Sequence, residues 1–281
     1  MSRTQGIVIT GASTGIGRAC AERFDRMGWR VFAGVRKETD GQALRAATSE
    51  RTTPLILDVT RRETIDKAAG RVAEVVGEDG LQGLVNNAGI GIGGPVEGLD
   101  IEDLRHQFEV NLFGQVAVSQ AFLPMLRSGD GRIVNMSSIA GKVSQPFMAP
   151  YCASKHAFEA FTDSMREELK PWSIHVAAVE PGVIQTPIWD KARRRASENR
   201  SAAPPHLLEL YASAIERLER VLEQIPERGI PPDRVARAVE HAITARRPRT
   251  RYPVGTDAKI GLKLRWLLGD RAFYWLLRKM G

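Results

Sequence analysis

The chain has 281 residues, 43% hydrophobic and 26% charged, proportions that fit a globular protein with ample buried core and exclude disordered, collagen-like and low-complexity classes. Its net charge of +7 is uneven: residues 228–281 hold 13 basic and 4 acidic side chains, a net of +9, and residues 1–227 are left at −2. The basic surplus therefore belongs to the C-terminal fifth, and a nearly neutral body gives no ground for a nucleic-acid partner.

Along the chain, apolar β-rich runs alternate with helical patterns. Ile7–Thr10 predicts a short buried strand, followed by a glycine-rich turn and a helix from Gly15 to Met27. Gly28 stands where a helix C-terminal glycine belongs. Arg30–Val35 predicts the second strand and Leu55–Leu57 the third, which ends in Asp58. Beyond Thr60, Ile65, Ala68, Val72 and Val75 recur at helical period. Leu84-Val85 opens a fourth strand, and Asp100 caps a long helix to Arg127. Arg132–Asn135 is the fifth strand, Pro150–Lys170 a helix, and Ile174–Val179 the sixth strand. This alternation predicts parallel βαβ units: an α/β, Rossmann-like, doubly wound sheet between two helix layers.

After Pro181-Gly182 the rhythm breaks. Residues 187–227 read as a charged helical insertion, interrupted by a polar loop at Ser197–Pro205. Pro231–Arg246 predicts another helix and Arg251–Val254 a seventh strand. Residues 257–281 form one or two short basic amphipathic helices broken at Gly269-Asp270. With no repeat and no long linker, residues 1–281 are expected to form one domain.

Cys20 and Cys152 make no disulfide framework and no CxxC motif, which points to a reducing, cytoplasmic compartment. No signal-peptide segment opens the chain, and the longest uncharged run, Val110–Leu126, is too polar for a membrane span. The five histidines lack metal-ligand spacing, so no metal is expected.

Thr10-Gly11-Ala12-Ser13-Thr14-Gly15-Ile16-Gly17 joins the first strand to the first helix. Glycines there let backbone N–H groups approach a pyrophosphate at the positive end of the helix. The second strand ends in Arg36-Lys37, where NAD sites usually carry a carboxylate for the ribose. These cations either pair a 2′-phosphate or are solvated at the surface.

Tyr151 and Lys155 are four residues apart on a predicted helix and so share a face. A phenol is a poor acid–base group at neutral pH, and a neighbouring ammonium with an oxidised nicotinamide would lower its pKa. Ser138 follows the fifth strand and Asn86-Asn87-Ala88-Gly89 ends the fourth, both at the sheet edge where ligands bind. Asn111, among apolar neighbours, either solvates a helix kink or belongs to a polar relay.

The sequence resembles the short-chain dehydrogenase/reductase family in its shorter-subunit branch. The resemblance rests on Thr10–Gly17, Asp58, Asn86–Gly89, Asn111, Ser138, Tyr151 with Lys155, and Pro181-Gly182 with Thr186, in order over residues 6–187. It implies Tyr151 as the general acid–base, Ser138 as the group orienting the substrate oxygen, and Lys155 as ribose ligand and pKa tuner. Asn111 would hold a relay water. Gly11, Ser13, Thr14, Gly15, Ile16 and Gly17 would cradle the cofactor with Arg36, Lys37, Asp58, Val59, Asn87, Ala88, Gly89, Pro181, Gly182, Val183 and Thr186. Asp58 would contact adenine and Thr186 the carboxamide. Family members with arginine at the position of Arg36 tend to use NADP; NAD remains an alternative.

The expected activity is hydride transfer between NADP(H) and a secondary alcohol or ketone. Residues 187–227, with Trp189, Leu207, Leu208, Leu210 and Tyr211, would cover a bulky lipophilic substrate of steroid, retinoid or long-chain type. A 3-oxoacyl-carrier-protein reductase is the alternative within the same chemistry, and the long cover and tail argue against it. A non-catalytic NADP-binding regulator would not need Asn111, Ser138, Tyr151 and Lys155 together. The basic tail either docks on its own domain or a neighbouring subunit, or lies on an anionic membrane. Many relatives assemble as homo-oligomers.

Overall fold

Along the first strand, β1 (Gly6–Ile9), Ile7 and Ile9 leave one face and Val8 the other, and all three are buried. A strand apolar on both faces belongs inside a sheet covered by helices on both sides. The computed structural model, which describes residues 5–202, 204–223 and 229–280, has that arrangement. Seven parallel strands lie in the order β3-β2-β1-β4-β5-β6-β7: β2 (Arg30–Val35), β3 (Thr52–Ile56), β4 (Gly83–Asn86), β5 (Arg132–Met136), β6 (His175–Pro181) and β7 (Arg251–Val254). The order reverses between β1 and β4, which opens a crevice at their C-terminal ends.

Two apolar cores lie on the two faces of the sheet. One joins Ile7, Ile9, Val85 and Val134 to Phe24 of α1 (Gly15–Arg26) and to Val235 and Val239 of a helix at Pro232–Thr244. The other joins Val8, Phe32, Leu84 and Ile133 to Val72, Phe122 and Met165. Those three lie on α3 (Arg62–Val76), α5 (Gly114–Ser128) and α6 (Ala149–Glu168). Gly28, just past α1, has φ +84° and turns the chain back toward β2.

β2 and β7 have the expected bounds, and the other strands differ from the sequence expectation by one to three residues at their ends. Three larger differences have physical causes. The segment between β2 and β3, to which the sequence assigns no element, is a helix, α2 (Glu38–Ala46); it buries only Gly41 and Leu44, too little for a periodic signal. The long helix after Asp100 is interrupted: α4 (Ile101–Phe108) passes through a π-turn at Glu109–Phe113 into α5. The polar stretch Ser197–Ala202, expected in a loop, is the end of α7 (Ile188–Ala202), where Asn199 donates to Asp103 at 2.6 Å.

α8 (Pro205–Glu223) follows, then α9, the Pro232–Thr244 helix, and after β7 come α10 (Thr256–Leu267) and α11 (Asp270–Met280). Residues 1–4, residues 203 and 224–228 of the expected cover, and residue 281 of the expected tail lie outside the described residues. The first tail helix, with Ala258 buried, packs on β7, and Phe273 of the second is buried beneath the Arg265 guanidinium, yet Trp266 (82% exposed) and Trp275 (57%) face outward. No helix among the described residues is long and apolar enough to cross a membrane.

Candidate functional site

The crevice at the strand ends is a cavity of about 630 Å³. Gly11, Ser13, Thr14, Gly15, Ile16, Arg36, Asp58, Val59, Asn87, Ala88 and Gly89 line it, as do Pro181, Gly182, Val183 and Thr186. Two of the expected cofactor residues lie outside the lining. Gly17 packs beneath it, where any side chain would collide with the Gly11 carbonyl and the Asn87 amide. Lys37 sits at the start of α2 and is exposed. Gly15 has φ +57°, which L side chains rarely adopt, and this brings the N-terminus of α1 to the cavity.

Asn87 closes the turn: its amide donates to the carbonyl of Thr10 at 2.9 Å and of Gly11 at 3.2 Å. The Thr10 hydroxyl accepts from the backbone N–H of Asn87 and Ala88, each at 2.9 Å. Asp58 accepts from Thr60 N–H at 3.0 Å and the Thr60 hydroxyl at 2.8 Å, which fixes the turn after β3. Arg36 is exposed at the rim.

Ser138, Tyr151 and Lys155 also line the cavity. Ser138 caps the short turn Ile139–Gly141 by accepting from Ala140 N–H at 3.1 Å. The Lys155 ammonium lies 5.8 Å from the Tyr151 ring centre and donates to the Met136 carbonyl at 2.7 Å. Burial pushes Lys155 down to about 8, against a smaller upward pull from Glu159. Burial likewise pushes the Tyr151 phenol up, and its hydrogen bond with Ser138 only partly opposes this. Desolvation sets this upward direction; the expected lowering requires an oxidised nicotinamide together with Lys155.

Asn111 lies in the π-turn, fully buried and outside the cavity lining. It bonds the backbone of Ile90 and the Ser154 hydroxyl, not Lys155. Gln107 and Gln115 stand four residues to either side. Gln107 accepts from Ile92 N–H at 2.7 Å and donates to the Ile90 carbonyl at 2.8 Å; Gln115 donates to the Ala88 carbonyl at 2.6 Å. Four-residue steps drift about 40° around an α-helix. The wider π-turn takes up that drift, so three carboxamides hold the strip 88–92 in register.

α7 crosses this end of the cavity. Its Ile188, Trp189, Lys191 and Arg195 contribute to the lining, as does His106 of α4. Arg195 pairs with Asp103, a carboxylate 2% exposed on α4. Burial alone would raise Asp103, but hydrogen bonds from Arg195 and Asn199 and the Arg195 charge hold it low.

Five residues near the site go beyond those singled out in the sequence. Arg251 of β7 pairs with Glu159, Glu180 and Asp163. Glu159 lies one turn beyond Lys155, a spacing that does mark it in the sequence; Glu180 precedes Pro181. Burial and the nearby Glu159 push Glu180 up, against Arg251. Asp257 of α10 accepts from Val183 N–H at 2.7 Å and so fixes the cavity wall after β6. Nothing local in the sequence points to Arg251 or Asp257. Among the described residues no group of side chains is arranged to hold a metal.

Residues 5–197 match the family model for short chain dehydrogenase. The chain is 35% identical to an NADPH-dependent 3-dehydrocapnine reductase of Ornithobacterium rhinotracheale, over 97% of each chain. It is 40% identical to retinol dehydrogenase 16 of Mus musculus, over 96% of this chain and 87% of that one. A short chain dehydrogenase/reductase from Burkholderia phymatum, solved with NAD, superposes with a TM-score of 0.79 at 27% identity, over 95% of each chain.

Proposed function

The chain belongs to the short-chain dehydrogenase family, and from that premise we propose that it transfers a hydride between NADP(H) and a bulky, lipophilic secondary alcohol or ketone. One observation carries the reading: a single cavity joins the glycine-rich turn and Arg36 to Ser138, Tyr151 and Lys155. β2 and β5, which end near Arg36 and Ser138, are three strand spacings apart, about 14 Å. A dinucleotide spans such a distance.

The donor set fits that cofactor. Backbone N–H groups of the turn and the start of α1 face the pyrophosphate position. Arg36, with Lys37 behind it, pairs the 2′-phosphate. Asp58 and Val59 flank the adenine. Asn87, Ala88 and Gly89 form the cavity floor, and Pro181, Gly182, Val183 and Thr186 hold the nicotinamide side. The NADPH dependence of the Ornithobacterium relative supports NADP, while the NAD-bound Burkholderia structure keeps NAD as the alternative.

When bound, the nicotinamide supplies or accepts the hydride. Tyr151 gives its hydroxyl proton to the carbonyl oxygen during reduction and takes it back during oxidation. Its raised pKa keeps it protonated at neutral pH, the form that reduction needs. Ser138 donates to the same oxygen and polarises it. Lys155 holds the nicotinamide ribose and offsets the charge left on the phenolate. Asn111 keeps the strip beside Tyr151 in place and backs the proton route behind Lys155.

α7 covers the substrate, and Trp189, Ile188, Met148 and Val110 give that chamber apolar walls, while the expected Leu207, Leu208, Leu210 and Tyr211 of α8 lie outside the lining. A retinol dehydrogenase among the relatives supports a lipophilic substrate. The outward face of α10 and α11 supports an assembly contact, with a second copy of the chain or with a membrane surface. Two buried, unpaired cysteines support the cytoplasm. A panel of secondary alcohols and ketones with NADP and NAD, followed by absorbance of the reduced nicotinamide, tests the reading. Turnover of lipophilic members with NADP favoured is expected; no turnover of any member with either cofactor rejects it.

A further inference from the structure

α7 reaches the catalytic residues at Gly91, where a methyl group would touch both the Tyr151 ring at 3.8 Å and Ala192 at 4.0 Å. Lys191, beside Ala192, and Arg195, one turn on, both line the cavity. Across from them on α4, His106 lines it too, one turn from the Asp103 that holds Arg195. Three basic residues, all exposed, therefore line the cavity from α4 and α7.

Their charges are not balanced within the chamber. Among the described residues the only carboxylate in the lining is Asp58, at the end of β3 on the far edge of the sheet. Arg195 is neutralised by buried Asp103 and is fixed in place by it. Lys191 makes no ion pair or side-chain hydrogen bond among the described residues. Lys191 is exposed at the mouth of the cavity, beside the apolar Trp189 and Ile188, and its ammonium is open to a negative group on a ligand that enters there. Such a mouth suits a long carbon body that ends in a negative group.

We infer that the substrate is an amphiphile: its carbonyl or carbinol lies at Tyr151 and Ser138, and an oxyanion such as a carboxylate lies at Lys191. Lys191 supplies the unpaired positive charge, and Arg195, held by Asp103, stands one turn on along the same helix. This inference rests on the oxidoreductase reading, and direct binding separates the two.

The probes are oxo derivatives of palmitic acid, the carbonyl walked along the chain, each paired with its methyl ester. Each is titrated calorimetrically into the full chain saturated with NADP, below its micellar concentration. For the member that fits, the acid binds about tenfold or more tightly than its ester. Lys191→Gln removes that advantage while the ester's affinity stays where it was, and Lys191→Arg retains it. Equal binding of acid and ester throughout, or binding of neither, overturns the inference. So does an equal loss for both forms in Lys191→Gln, or a matching loss of NADP affinity, which would assign Lys191 to the cofactor. If the acid is preferred but no member is turned over with NADPH, the oxidoreductase reading fails and the anion site stands.

Discussion

Asn111 holds Ile90 at both of its backbone polar groups: Oδ1 accepts from the N–H at 2.9 Å and Nδ2 donates to the carbonyl at 3.0 Å. The remaining Nδ2 proton goes to the Ser154 hydroxyl at 3.1 Å. Asn111→Leu would keep the volume and orphan the Ile90 N–H, while the Ile90 carbonyl keeps its bond from Gln107. A loss of about 1–3 kcal/mol in urea unfolding is expected, the cost of one buried unpaired group. Activity should fall as well, because the loosened strip includes Gly91 beside Tyr151. A variant as stable as the parent would show that Ile90 finds other partners.

Tyr151→Phe removes one hydroxyl and leaves the buried ring. Turnover should drop by about 10²–10⁴, the usual contribution of a positioned proton donor, while NADP binding persists. Single-turnover kinetics with a fluorescence titration of NADPH separates the two quantities. Retention of full activity would remove Tyr151 from the chemistry.

Arg36→Asp replaces the rim cation with a carboxylate able to accept from a ribose hydroxyl. The ratio of kcat/KM for NADP over NAD should fall by about 10- to 100-fold, as a lost charge-assisted hydrogen bond predicts. An unchanged ratio would mean that Arg36 is only a solvated cation.

Lys155 titrates at about 8 in the folded chain against 10.5 for a free lysine. Between those values the unfolded chain binds more protons, so folding stability rises with pH. Below pH 8 the buried ammonium exerts its full destabilising effect, up to about 3 kcal/mol by linkage. Lys155→Met should therefore be inactive yet more stable at pH 7, less the lost bond to Met136. Its advantage should shrink as pH rises from 8 toward 10.5. Denaturant unfolding of both proteins across that range is the measurement, and a difference flat with pH would contradict the assignment.

The strands were legible in the sequence because a parallel sheet covered on both sides demands unbroken apolar runs such as Ile7–Ile9. Tyr151 and Lys155 were legible because helical spacing alone puts them on one face, and Ser138 because it ends a strand. The π-turn was not, since Glu109–Phe113 would suit an α-helix equally well. Tertiary contacts decide it: Gly114 packs so closely on Val59 that a side chain would strike the Val59 backbone, and Asn111 is drawn to Ile90. α2 was not legible because Leu44 is its one large buried side chain. The direction of the Tyr151 shift depends on burial, which spacing does not encode.

Arg251 also sets a timetable. Glu159 and Glu180 have side chains only 2% and 3% exposed, and their principal counter-charge lies 92 and 71 residues away in sequence. During synthesis on the ribosome the nascent chain emerges N-terminus first, so every side chain that lines the cavity is outside before Arg251 is. Two buried carboxylates without that guanidinium are costly to desolvate. The catalytic helix and the wall after β6 thus cannot settle into their final packing until β7 has been made. The last strand of the sheet is the one that licenses the site.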